Sequence, residues 1–179
     1  MHDTTSMMRE DLLKRLNDID EEASLLYPED IHIHMIIVGG SALILMRYIT
    51  RATHDIDVLV VSHQIEELMS YYDMNTKVQS YVHCFPYNLE DRACRVPAGG
   101  KRIDFFTASL EDIVISKLYT YRDTDLVDIK SPEIIKSIDW DLLERLATDE
   151  DEAYASAMND YRYREFLQAY KEYKEEFHP

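Results

Sequence analysis

The sequence predicts an α/β protein with a small mixed β-sheet flanked by helices at both ends. Three observations carry this. Apolar runs of strand length stand at Met35 to Val38, around Asp55 to Val61 and at Arg102 to Phe106. Segments with apolar residues at helical spacing precede and follow them. The pair Gly39-Gly40 falls where the first strand gives way to the helical pattern Leu43, Leu45, Met46, Ile49.

In chain order, Met7 to Leu26 reads as an amphipathic helix through Met8, Leu12, Leu13, Leu16, Ile19 and Ala23, ending before Pro28. His32 to Val38 reads as the first core strand, apolar as a buried strand should be. His32 and His34 share one face by the period-2 rule, but with no third ligand nearby they read as an edge feature rather than a metal pair. A helix is expected to open on Ser41, a second strand carries Asp55 and Asp57, and Gln64 to Met74 reads as a helix followed by a polar loop. YVHCF reads as a strand interrupted by Pro86, and RACRV as the next. Ala98-Gly99-Gly100 is a hairpin turn feeding the strand Arg102 to Phe106, expected to lie beside the Asp55 strand.

Ser109 with Asp112 three residues later has the form of a helix N-cap, and Leu110, Ile113, Val114, Leu118 and Tyr121 continue that helix. Lys117 lies inside its apolar run, where an ammonium needs a reason. Ser131-Pro132 opens a further helix by the proline-at-first-turn rule, and Asp139 is placed to divide it in two. The tail from Ala153 to Phe177 carries an aromatic stripe: Tyr154, Met158, Tyr161, Tyr163, Phe166, Leu167, Tyr170, Tyr173 and Phe177. Such a stripe reads as a packing face, on its own domain or against a partner. The expected division is a core with its N-terminal helix over residues 1–130 and a helical extension packed on it over 131–179.

Composition narrows the class. The 179 residues can bury a sizeable core, and 46% hydrophobic with 30% charged residues is ordinary for a globular protein. No segment reaches the roughly 20 apolar residues that span a bilayer, and a cytoplasmic location is expected. Cys84 and Cys94 lack zinc-ligand spacing and read as free thiols. A formal charge of −16 argues against a protein that coats nucleic acid and suits a cationic substrate or basic partner.

Two carboxylates one residue apart on a strand project to the same face, so Asp55 and Asp57 can bind one divalent cation. Metal sites that handle nucleotide phosphates take few protein carboxylates and fill the remaining positions with water and phosphate oxygens. Gly39 and Gly40 bring a backbone without Cβ to the start of a helix, where N–H groups and a partial positive charge attract phosphate, and Ser41 adds a hydroxyl. Basic residues gather at Arg92, Arg95, Lys101 and Arg102 around the hairpin, and at Arg47 and Arg51 between the glycines and the aspartates. They read either as a positive zone for triphosphate or acceptor, where guanidinium groups bind phosphate bidentately, or as solvated charges; Arg51, just before the Asp-Ile-Asp strand, is the preferred phosphate ligand by its place.

The run IIVGGSALILMRYITRATHDIDVLVV resembles the DNA polymerase β-type nucleotidyltransferase signature, and GGSAL followed by basic residues and HDID is similar to the AbiEii-like group of small nucleotidyltransferases, many of them toxins of toxin-antitoxin pairs. The resemblance spans Ile36 to Asp128. It implies a nucleotidyltransferase fold, with Mg²⁺ at Asp55, Asp57 and a third carboxylate from a later strand, for which Asp104 in KRIDFF is the candidate. It also implies that Lys117, Arg122, Asp125 and Asp128 occupy the places of a nucleotide-binding or acceptor-activating Lys and Asp set, although Thr124 stands where many relatives carry another Lys.

The expected activity is transfer of a nucleoside monophosphate from a nucleoside triphosphate to a hydroxyl acceptor. Asp55, Asp57, Asp104 and Lys117 are the expected catalytic residues; Gly39, Gly40, Ser41, Arg51 and Asp125 are expected to bind the nucleotide. The acceptor the resemblance favours is RNA such as a tRNA 3′ end, with an antitoxin protein as possible partner. The alternatives are nucleotidylation of an aminoglycoside-like antibiotic and a non-catalytic nucleotide- or partner-binding module.

Overall fold

Hydrophobic periodicity and the glycine corners generate the observed elements in sequence order. The computed structural model describes residues 6–59, 65–149 and 159–178, apart from the side chains of residues 78 and 79. The expected strand end at Val61, the helix start at Gln64, and Tyr154 and Met158 of the aromatic stripe lie outside the described residues. The chain divides into two compact units, Met1–Gln79 with Ala93–Ala108, and Ser80–Arg92 with Ser109–Pro179.

The first unit begins with α1 (Arg9–Leu26), whose Asp11 carboxylate accepts the Met8 backbone N–H at 2.9 Å. This satisfies one of the donors a helix start leaves unpaired. Leu12, Leu16, Ile19 and Ala23 are fully buried along one stripe. Burying a side chain of the Leu or Ile class is worth about 1.5–3 kcal/mol, so this stripe anchors the helix. Then follow β1 (Ile33–Ile37), α2 (Gly39–Leu45), β2 (Ile56–Leu59), α3 (Glu66–Tyr71), β3 (Met74–Asn75), β4 (Cys94–Gly99) and β5 (Ile103–Thr107).

Among the described residues the strands form one five-stranded sheet in the order β3-β2-β1-β5-β4. β1 runs antiparallel to β2 and parallel to β5, β2 runs parallel to β3, and β4 and β5 form the expected hairpin. Gly99 and Gly100 take φ of +72° and +110° at its turn, a backbone region that costs glycine little. β5 therefore neighbours β1, not the Asp57 strand, which corrects the expected adjacency. Asp20, buried on α1, fixes the start of β5 by accepting the backbone N–H groups of Lys101, Arg102 and Ile103 at 2.7–2.9 Å.

The second unit is helical. A 3₁₀ segment covers Lys77–Cys84 across the boundary between the units, where a strand was expected at YVHCF. α4 (Leu110–Thr120), α5 (Asp123–Ile129), α6 (Pro132–Ser137), α7 (Trp140–Thr148) and α8 (Asp160–Phe177) follow. Ser109 caps α4 by accepting the Asp112 N–H at 3.1 Å, and Asp139 caps α7 by accepting that of Leu142 at 3.0 Å, so Asp139 does divide the helices. The aromatic stripe packs inside this unit: Phe166 stacks on Tyr119 at 4.2 Å, and the Tyr173 hydroxyl donates to the Ile129 carbonyl at 2.6 Å. α4, buried along nearly its whole length, contacts α5, α7 and α8 within this unit. Among the described residues no helix is long and apolar enough to cross a membrane.

Candidate active site

The corner between β1 and α2 collects two charged side chains. Val38 caps α2, and its N–H donates to the Asp57 carbonyl at 2.9 Å, tying the end of β1 to β2. Gly39 takes φ +65°, and the Asp57 Oδ2 lies 3.0 Å from where a Cβ at Gly39 would stand. Gly40 gives room in the same way to Arg51, whose Nη2 lies 2.7 Å from its absent Cβ. The two glycines thus admit a carboxylate and a guanidinium to the same turn.

Asp55 is exposed, Asp57 is half-buried, and Ile56 and Val58 between and after them are fully buried. Strand alternation accounts for the burial of Ile56 and Val58 on either side of Asp57. Thr53 supports the approach to β2 by donating its hydroxyl to the Asp55 carbonyl at 3.1 Å. Asp57 receives a second support, the Asn75 side-chain amide, at 2.9 Å from its Oδ1. The Ser41 hydroxyl is buried and donates to the Val38 carbonyl at 3.1 Å, which braces the corner.

Asp104 does not join the pair. Its register partner on β1 is His34, whereas Asp57 lies opposite Val38, which follows from the pairing of Ile37 with Val58. Four residues of strand separate the two rows, about 13 Å at about 3.3 Å per residue. Level with Asp57, the β5 side carries Ala108, whose N–H donates to the Ile37 carbonyl at 3.0 Å. Asp104 instead pairs with Arg95 at 2.7 Å and lies 3.5 Å from the His34 Nε2. Among the described residues no group of three or more His, Cys, Asp or Glu is arranged to hold a metal ion. Asp104 therefore stands apart from the row of Asp57.

The hairpin cations are also engaged within the chain. Arg95 binds Asp104, Lys101 binds Glu21, and Arg102 donates to the carbonyls of Lys101 and Tyr27. In the helical unit, Arg92 grips the buried Asp112 with two hydrogen bonds at 2.8 and 3.0 Å. Arg122 lies exposed over the Tyr81 ring at 5.8 Å.

Lys117 has the reason its apolar surroundings demand. Within the helical unit its buried ammonium donates to Asp125 at 2.6 Å and to the buried Asp128 at 3.0 Å, and Thr120 donates to the other Asp125 oxygen at 2.6 Å. Two carboxylates around one ammonium make a satisfied cluster, because each desolvated charge has a partner. Glu111, on the same helix, accepts the Asp139 N–H at 2.9 Å, and burial pushes its carboxyl above the usual range.

Sequence reasoning missed Asn75 and Asp20. Asn75 lies 18 residues from Asp57 in a stretch read as loop, and nothing local marks it. Asp20 did leave a signal, since it stands four residues after Leu16 on the apolar stripe of α1, where an acid needs buried donors.

A mixed sheet with helices, a glycine corner closing onto the strand that bears Asp-Ile-Asp, and a helical remainder define the polymerase β-like nucleotidyltransferase fold. Over residues 14–178 the chain matches the family described as nucleotidyltransferase of unknown function, DUF6036, and it belongs to that family. The match is to nucleotidyltransferases broadly, not to the AbiEii-like toxins within them. No curated protein and no solved structure matches the chain.

Proposed function

We propose that this protein is a divalent-cation-dependent nucleotidyltransferase that moves a nucleoside monophosphate from a triphosphate to a hydroxyl. The observation that carries the reading is the corner itself, with Asp57 over Gly39 and Arg51 over Gly40 in a member of a nucleotidyltransferase family. Asp55 and Asp57 are the residues that would hold Mg²⁺. They fit it, because Mg²⁺ bound with substrate phosphates needs only one or two protein carboxylates. The cation would neutralise triphosphate charge and stabilise the leaving pyrophosphate.

The chain's own part is positioning. Arg51 and the backbone at Gly39 and Gly40 orient the phosphates, which serves an in-line displacement by holding the reacting groups together. The acceptor oxygen bonds to the α-phosphorus while the bond to the β-phosphate oxygen breaks. Pyrophosphate leaves with that electron pair, and the hydroxyl proton passes to solvent or base. Lys117 with Asp125 in the helical unit is the second candidate set, carried over from the resemblance.

For the acceptor, the AbiEii-like motifs favour RNA and a cytoplasmic toxin with a protein antitoxin. A second reading is favoured by charge. The chain carries −16, and the hairpin cations are engaged by its own acids and carbonyls, which suits a small polycation such as an aminoglycoside. Incubating the protein with Mg²⁺, each α-labelled triphosphate, and either total RNA or aminoglycosides tests both. Label in one acceptor, lost in Asp55→Asn and Asp57→Asn, assigns the reaction. Absence of label from every acceptor overturns the activity and favours a binding module.

A further inference from the structure

We infer that Asn75 is a positioning residue for the cation site: it clamps one oxygen of Asp57 and thereby sets the direction in which the carboxylate presents itself at the glycine corner. The inference rests on the reading of Asp55 and Asp57 as cation ligands. Strand register pairs Asn75 on β3 with Asp57 on β2 and puts both side chains on one face. The Asn75 Nδ2 donates to the Asp57 Oδ1 at 2.9 Å. The amide is fixed in that sense because the Lys77 backbone N–H donates to its Oδ1 at 3.0 Å, which leaves the NH₂ for Asp57.

The clamp is itself held from α1. Arg15 donates to the Tyr72 carbonyl at 3.2 Å and pairs with Asp73, a residue at φ +55° that turns the chain from α3 into β3. The Tyr72 hydroxyl donates to Glu22 of the same helix at 2.7 Å, and the Asp73 carbonyl accepts the Ile56 N–H at 3.2 Å, at the head of the Asp57 strand. With Oδ1 engaged by Asn75, Oδ2 is the oxygen that lies over Gly39. A carboxylate held at one oxygen loses little freedom when the other takes a cation. Outer partners of this kind typically change metal affinity 10–100-fold when removed.

Mn²⁺ binding to the full chain, followed by the loss of free Mn²⁺ signal in electron paramagnetic resonance, tests this without requiring turnover. Binding should be abolished in Asp57→Asn and weakened at least about tenfold in Asn75→Ala. Asn75→Ser, which keeps a donor of shorter reach, should fall between Ala and the unaltered chain. Urea unfolding of each variant separates a role in holding β3, which would lower the midpoint and leave Mn²⁺ affinity in place. Unchanged Mn²⁺ affinity in Asn75→Ala overturns the positioning role alone. Failure of the unaltered chain to bind Mn²⁺, or binding indifferent to Asp57→Asn, removes the corner as a cation site and the role of Asn75 with it.

Discussion

The Asp57 carboxylate occupies the space that a side chain on Gly39 would need, with its Oδ2 3.0 Å from the missing Cβ. Gly39 also takes φ +65°, so a larger residue there is strained by its backbone, and its Cβ would press on the Asp57 carboxylate. Gly39→Ala should cost about 1–2 kcal/mol from the left-handed backbone alone. It should also displace the Asp57 carboxylate and lower nucleotidyl transfer by more than that loss of stability accounts for. Urea midpoints and labelled-transfer rates measured on the same preparation check this; equal rates in the variant would separate the corner from the chemistry.

Asp20 takes the backbone N–H groups of three successive residues at the start of β5. Asp20→Ala leaves all three donors without their acceptor, the Ile103 N–H in a buried setting and the other two in part-buried ones. We expect a loss of about 3 kcal/mol, at the scale of a buried group stripped of its partners. Chemical denaturation measures it, and a loss within the range of an ordinary surface substitution would contradict the assignment.

Lys117 neutralises Asp125 and Asp128 inside the helical unit. Lys117→Met leaves those carboxylates without their ammonium and should destabilise by about 3–5 kcal/mol. Adding Asp128→Leu should recover part of that loss, since it removes the more deeply buried of the two carboxylates left without the ammonium, while Asp125 keeps its bond from Thr120. A double-mutant cycle reads the coupling, and additive effects would show that the pair does not act together.

Glu111 gives the unit a pH dependence. Burial raises its folded pKa above the ordinary 4.5, so between those two values the folded protein holds a proton that the unfolded chain has released. Stability from this group is therefore fully present below the unfolded pKa and is lost as pH rises through the raised folded value. Glu111→Gln keeps an acceptor for the Asp139 N–H without the charge. It should stabilise the protein at neutral pH, with the gain shrinking as pH falls toward 4.5, as urea midpoints across pH would register.

Thiol labelling offers an independent check on packing in the same unit. Cys84 is buried, and burial pushes its thiol up to about 11, whereas Cys94 of the sheet unit is exposed. A thiol reagent near neutral pH should modify Cys94 readily and Cys84 only in denaturant, because the thiolate is the reacting form. Mass spectrometry of digested protein distinguishes the sites, and equal labelling of both without denaturant would show that Cys84 is not enclosed.

Local sequence pattern sufficed for the glycine corner and for the starts of α4, α6 and α7, because each depends on neighbours within a few residues. Gly39 is needed where strand meets helix, and Ser109 and Asp139 cap the helices they precede. Tertiary structure alone decided which strands touch. KRIDFF is a strand, as its pattern indicates, but the parallel pairing of β5 with β1 sets Asp104 beside His34 and Arg95, a placement no local pattern encodes. The same holds for Asn75, whose bond to Asp57 exists because β3 lies against β2, and for Lys117, whose two carboxylates arrive with α5. Side-chain alternation is a local consequence of backbone geometry, whereas register is fixed by how the whole sheet buries its apolar faces.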